Sequence, residues 1–207
     1  MGITIKSQRE IESMRRAGHV VSVIHQRVAA AIQPGITTMD IDIIARDTMA
    51  EFHAGSSFLG HMGFPGRVCV SVNEEIVHGI PSKRALVDGD IISVDVGAII
   101  DGYHGDSAWT YGVGTISEKA AHLLAMTEQS LELGLAQARA KNRLGAIGHA
   151  IESYVRSEGG GLIQEYGGHG IGKSMWEEPH VSNHGLPNRG PQLRPGMTLA
   201  IEPMVTT

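Results

Sequence analysis

A single cysteine, Cys69, stands among 207 residues, so no disulfide can close within the chain, and such sparing use fits a reducing compartment. No apolar run approaches the length that a bilayer demands. The first ten residues, Met1-Gly-Ile-Thr-Ile-Lys-Ser-Gln-Arg-Glu10, lack the apolar stretch of a secretion signal. Lysine and arginine form no block and the net charge is -5, which argues against a nucleic-acid surface. No low-complexity tract or flexible linker divides the chain. These absences predict a cytoplasmic protein with one domain over residues 1–207, long enough to bury a substantial core.

What is present carries chemistry. Asp95 and Asp106 lie on either side of a turn in Asp95-Val-Gly-Ala-Ile-Ile-Asp-Gly-Tyr-His-Gly-Asp106. Strand-type residues run to Ile100, Asp101-Gly102 suits a type I′ loop, and the chain returns through Tyr103. A two-residue loop puts 100 opposite 103, and therefore 97 opposite 106. Asp95 shares a face with Gly97, so Asp95 and Asp106 are expected as diagonal neighbours on it. Two carboxylates so placed repel unless a proton or a cation lies between them. Val94, Val96, Ile99 and Ile100 around them weigh against a merely solvated face.

Two further groups join them. His169 lies in Gly167-Gly-His-Gly-Ile-Gly172 and Glu202 in Leu199-Ala-Ile-Glu-Pro203, segments where an unpaired ionisable group is costly. Asp, Asp, His and Glu form a hard set with one imidazole. It suits two divalent ions (Mn, Fe, Co or Zn) in a hydrolytic site better than a thiolate-bound structural zinc.

The chain also repeats itself. His78-Gly-Ile-Pro81 returns as His184-Gly-Leu-Pro187, and Leu86 to Asp95 returns as Leu193 to Glu202. A turn at Asp88-Gly89 or Pro195-Gly196 is expected to feed a buried strand that ends on a ligand. The helices repeat as well. Ser7-Gln-Arg-Glu10 opens one to about Ile32, stopped by Pro34-Gly35, and Thr37 or Thr38 caps a second to about His53. Beyond Thr115 or Ser117 a third runs to about Ala140, and a fourth spans about Gly145 to Ser157. The expected plan is α+β, with pseudo-symmetric helix-helix-strand halves at about 7–106 and 117–207. Only Pro203 to Thr207 follow Glu202, so the return arm of the second half is expected to be missing.

At these residues the chain resembles type I methionine aminopeptidase, of the pita-bread metallopeptidase fold. The matching motifs are Ser71-Val-Asn-Glu-Glu-Ile-Val-His-Gly-Ile-Pro81, Asp90 to Gly97, Gly102-Tyr-His-Gly-Asp106, Gly168 to Gly172 and Ala200-Ile-Glu-Pro-Met204. The resemblance implies that Asp95 holds one metal, that Asp106 bridges both, and that His169 and Glu202 hold the other. Glu202 would also carry a proton. His78 resembles the histidine that orients substrate at the scissile nitrogen, and Phe58, His61, Phe64 and Cys69 would wall the methionine pocket. Trp176 stands where the family usually has a second histidine, His61 and Phe64 replace aromatic hydroxyls, and the fifth ligand would lie beyond Thr207. Plainer roles fit some of these residues: packing for Trp176, a small buried hydrophobe for Cys69, and surface or supporting positions for His61, His104, His180 and His184.

The implied activity is removal of initiator methionine from nascent chains whose second residue is small. The expected partners are the N-termini of nascent polypeptides, with transient ribosome contact, for a monomer that binds neither membrane nor specific nucleic acid. A ligand-depleted pita-bread relative that only binds peptides, and an Xaa-Pro aminopeptidase, are the alternatives. The intact Asp, Asp, His and Glu weigh against the first, and the short N-terminal region against the second.

Overall fold

The structure is a computed structural model and describes residues 2–207. They form two compact units. One comprises Arg9–Glu118 with Gly172–Met175; the other comprises the residues up to Gln8 with Lys119–Ile171 and Trp176–Thr207. No described helix is long and apolar enough to cross a membrane.

In the first unit, α1 (Gln8–Ala31) buries Ser13, Ala17, Val20, Val21, Ile24 and Val28, mostly three or four positions apart and therefore on one stripe. It stops just before Pro34-Gly35. α2 (Thr38–Glu51) opens on a capping box, in which Asp40 N–H donates to Thr37 Oγ1 at 3.2 Å and Thr37 N–H donates to Asp40 Oδ2 at 2.9 Å. It ends two residues before the expected His53, which takes a left-handed φ of +53° and breaks the helix. β1 (Gly55–Ser56), β2 (Val68–Val72), β3 (Ile91–Ile100) and β4 (Tyr103–Gly112) make an antiparallel sheet in which β3 pairs with the other three. Asp101 and Gly102 have φ of +50° and +75°, both positive as a type I′ turn requires. The register follows as expected, with Ile100 opposite Tyr103 and Gly97 opposite Asp106. Ile92, Val94, Val96 and Ala98 point into a core shared with Val20, Ile24, Val28 and Ile41. The pleat leaves Ser93, Asp95 and Gly97 on the opposite face.

In the second unit, α3 (Glu118–Gln137) stops short of the expected Ala140 because the Asn142 amide caps the Gln137 carbonyl at 2.9 Å. α4 (Gly145–Ser157) has the expected bounds, and its Ile147, Ile151 and Val155 form a core with Met126, Leu144, Val181 and Leu193. β5 (Gly161–Leu162) precedes a three-stranded antiparallel sheet, in which β6 (Gly167–Gly170) lies between β7 (Glu177–Ser182) and β8 (Leu199–Ala200). β9 (Val205–Thr206) pairs with β5, a ladder that the repeat did not suggest.

The expectation of strands that end on a ligand needs correction. Asp95 lies in the middle of β3, which runs on to Ile100. Glu202 lies two residues past β8, where Pro203 offers no N–H to extend a ladder.

Candidate metal centre

The acids of the first unit are placed by strand register. Asp95 opposes Cys69 of β2 on one side and Ala108 of β4 on the other, while Asp106 opposes Gly97. The side chains of Cys69, Ser71, Asp95, His104 and Asp106 therefore share one face of the sheet. Both carboxylates are half-buried. Burial first, and then the charges of Asp95 and Asp106, push the Cys69 thiol up to about 12. Burial and the two acids therefore favour the protonated, uncharged form of this buried thiol.

Gly97 has a steric reason to lack a side chain. A Cβ there would come within 2.7 Å of Ser57 Cβ and 3.2 Å of Phe58 Cζ. Its absence lets Ser57 and Phe58 close over the acid face, where Ser57 Oγ hydrogen-bonds His104 Nδ1 at 2.8 Å. Phe58 is buried beside the acids, Phe64 is half-buried and His61 is exposed. A tight turn joins the three, with His61 N–H donating to Phe58 O at 2.9 Å and Phe64 N–H to His61 O at 2.8 Å.

His78 is exposed and holds a φ of +62°, a region that few residues other than glycine occupy. Its neighbour ties it down. Gly79 O accepts Val70 N–H at 2.9 Å and Gly79 N–H donates to Ser71 Oγ at 3.0 Å. Because Ser71 faces the same side as Asp95, His78 is tethered at the rim of the acid face.

In the second unit, His169 is buried on β6 and its Nδ1 lies 2.9 Å from the Gly170 carbonyl. A carbonyl only accepts, so Nδ1 carries the proton in the neutral ring and Nε2 presents its lone pair. That Nε2 faces Glu202 Oε1 at 3.2 Å. The glycines beside His169 are sterically required. A Cβ at Gly168 would strike Ala200 O at 2.1 Å, and one at Gly170 would strike Glu178 O at 2.2 Å. The buried Asn183 donates its amide to the Glu202 carbonyl at 2.7 Å and fixes that backbone. Trp176 is half-exposed, with its ring tilted 55° to the His169 ring and the centroids 6.2 Å apart.

Each unit thus holds a pair of the sequence-derived candidates: Asp95 with Asp106, and His169 with Glu202. Phe58 and Cys69 flank the first pair and Trp176 flanks the second. Ser57 and Asn183 were not anticipated. Each is a small polar residue whose partner lies far along the chain, 47 and 19 positions away, so no local pattern marks it.

The donors fit a divalent ion. Carboxylate oxygens are hard ligands, and an imidazole whose other nitrogen is fixed by a backbone carbonyl is the arrangement that metal-binding histidines adopt.

Comparison with known proteins agrees with this chemistry. The model of metallopeptidase family M24 matches residues 12–207. Methionine aminopeptidase 1 of Bacillus subtilis is 51% identical over 203 residues, covering 98% of this chain and 82% of that protein. Methionine aminopeptidase of Clostridium acetobutylicum is 52% identical over 204 residues, again with 98% and 82% covered. Among solved structures, methionine aminopeptidase from Thermotoga maritima superposes with a TM-score of 0.97 at 42% identity, covering 99% of this chain and 82% of that one. The fold alone extends to a prolidase from Pyrococcus furiosus, with a TM-score of 0.84 at 20% identity over 96% of this chain and 57% of that one. The chain belongs to metallopeptidase family M24, among the methionine aminopeptidases, and has their α+β pita-bread fold.

Proposed function

We propose that this protein is a metal-dependent aminopeptidase that removes methionine from the N-termini of nascent polypeptides, and that its two units act as one catalytic domain. The observation that carries the reading is the hairpin register, which sets Asp95 and Asp106 as neighbours on one face of a sheet whose opposite face packs into the apolar core. The similarity to methionine aminopeptidases over 98% of the chain supports the choice of substrate.

Asp95, Asp106, His169 and Glu202 would hold two divalent ions drawn from Co, Mn, Fe or Zn. Such ions, when bound, polarise a scissile carbonyl and bring the pKa of water towards neutrality. The remaining work falls to the chain. Phe58 and Phe64 offer apolar surface to a methionine side chain, with the uncharged Cys69 thiol as a third wall and His61 at the exposed end of the same turn. His78, held at the rim, would donate a hydrogen bond to the developing tetrahedral centre. Glu202, beside the lone-pair nitrogen of His169, would carry the proton to the leaving amine, and Trp176 would border the substrate next to His169. A cytoplasmic monomer that meets nascent chains, with transient contact to the ribosome, belongs to the same proposal.

The test is release of free methionine from a Met-Gly peptide by protein stripped with a chelator and then reloaded with each metal. Activity should vanish on stripping, return on reloading and be absent on an Ala-Pro peptide. Preferential cleavage of the Ala-Pro peptide, or hydrolysis indifferent to metal, would overturn the reading.

A further inference from the structure

We propose that His25 is a positioning residue for Asp106, acting through the backbone of the strand that carries it. The proposal rests on the reading of Asp106 as a metal ligand.

α1 lies along β4 and grips it at successive points. Tyr103 Oη donates to Glu10 Oε1 at 2.8 Å, and Arg16 pairs with Asp101 in the turn. At Gly105 the two backbones nearly touch, since a Cβ there would meet Gly18 N at 2.5 Å and Ala17 C at 2.7 Å. Two residues on, His25 Nε2 lies 3.0 Å from the Ser107 carbonyl, and Nδ1 lies 2.9 Å from Tyr111 Oη. The carbonyl only accepts, so Nε2 carries the hydrogen and Nδ1 accepts from the phenol. Gly105 and Ser107 face α1, so the Asp106 side chain between them points to the opposite face. The helix therefore holds the strand immediately before and immediately after the ligand.

Close packing does not do this work at Ser107. A cleft of about 460 Å³ opens there between α1 and β4, bordered by Ser22, His25, Gln26, Asp106 and Trp109 among others. The imidazole bridges α1 to β4 at the edge of that cleft. A ligand needs placement to within about 0.5 Å, and its supporting contacts commonly carry a factor of roughly 10–100 in metal affinity.

The experiment is a titration of metal-stripped protein with Co²⁺, read by visible absorption, with the melting temperature of the metal-free protein followed alongside. His25→Leu should weaken the Co²⁺ affinity at least about tenfold and alter the absorption band. His25→Gln can still donate to the Ser107 carbonyl and should stay within a few-fold of the unaltered protein. His25→Asn, too short to span the gap, is a second loss variant should the leucine variant not fold. Unchanged affinity in the loss variants, while Asp106→Asn loses the metal, overturns the positioning role and leaves the ligand reading intact. Equal losses in the Leu and Gln variants, in step with a falling melting temperature, reduce His25 to a general stabiliser and overturn it as well. Wild-type affinity in Asp106→Asn instead removes the ligand reading on which the proposal stands.

Discussion

The unit containing Asp95 and Asp106 and the unit containing His169 and Glu202 share an order of helices and strands but hold their ionisable groups by different means. In the first, β3 and β4 pair along ten positions, and the register of the whole ladder places both acids. In the second, β8 is two residues long, and placement comes from backbone crowding at Gly168 and Gly170 and from the Asn183 amide on the Glu202 carbonyl. A long ladder spreads its specification over many bonds. A short one concentrates it in a few contacts, each of which must be present.

Substitutions can break this contrast, and the largest expected effect is at the hairpin. Asp106→Ala should abolish metal binding and methionine release, measured by bound-metal content and by peptide hydrolysis; retention of metal on the other unit's ligands would show that the hairpin is dispensable. His78→Ala should lower kcat by roughly 10²–10³, the scale for losing one donor at a developing charge. Near-normal turnover in that variant would remove His78 from the mechanism and leave its left-handed backbone without a functional reason. The next pair sharpens the comparison directly. Gly168→Ala drives a methyl group into the Ala200 carbonyl and should cost about 2–4 kcal/mol in chemical denaturation, with weaker metal binding. Gly102→Ala meets open space but a φ of +75°, so it should cost only about 1 kcal/mol and leave metal affinity unchanged. Equal effects would mean that both units are fixed in the same manner.

The smallest effect concerns pH. Cys69 rises from its ordinary 9.0 to about 12 in the fold, so the folded state keeps a proton that the unfolded state releases. Its contribution is fully present below pH 9.0 and is lost as pH rises towards 12, because ionisation then favours unfolding. Alkaline unfolding should therefore steepen over that window and flatten in Cys69→Ala. Alkylation of the native thiol by iodoacetamide at pH 8 should be slow; rapid labelling would contradict a buried thiol beside two acids.

The hairpin was legible in the sequence because its information is local. Asp101-Gly102 fixes the turn, the turn fixes the register, and the register fixes which residues share a face with Asp95. The ends of α4 were legible for a similar reason, with Gly145 at one end and a glycine run just past Ser157. The pairing of His169 with Glu202 was not readable from spacing, since two short strands and a proline carry no periodic signal; the family resemblance supplied it. The overshoot of α3 came from a side-chain cap supplied by Asn142, five residues past the helix end. Ser57, Asn183 and the bridge from His25 to Ser107 escaped altogether, because a hydrogen bond between distant segments leaves no mark in either one.

The bare α-carbon at position 97 acts as a spacer of zero thickness between an aromatic ring and two anions. Any larger residue there would lift Phe58 away from the sheet and press on the strand between Asp95 and the turn at once. In the proposed site, pocket depth and ligand geometry would thereby be geared together through a single atom that is not there, so a change in one would drag the other.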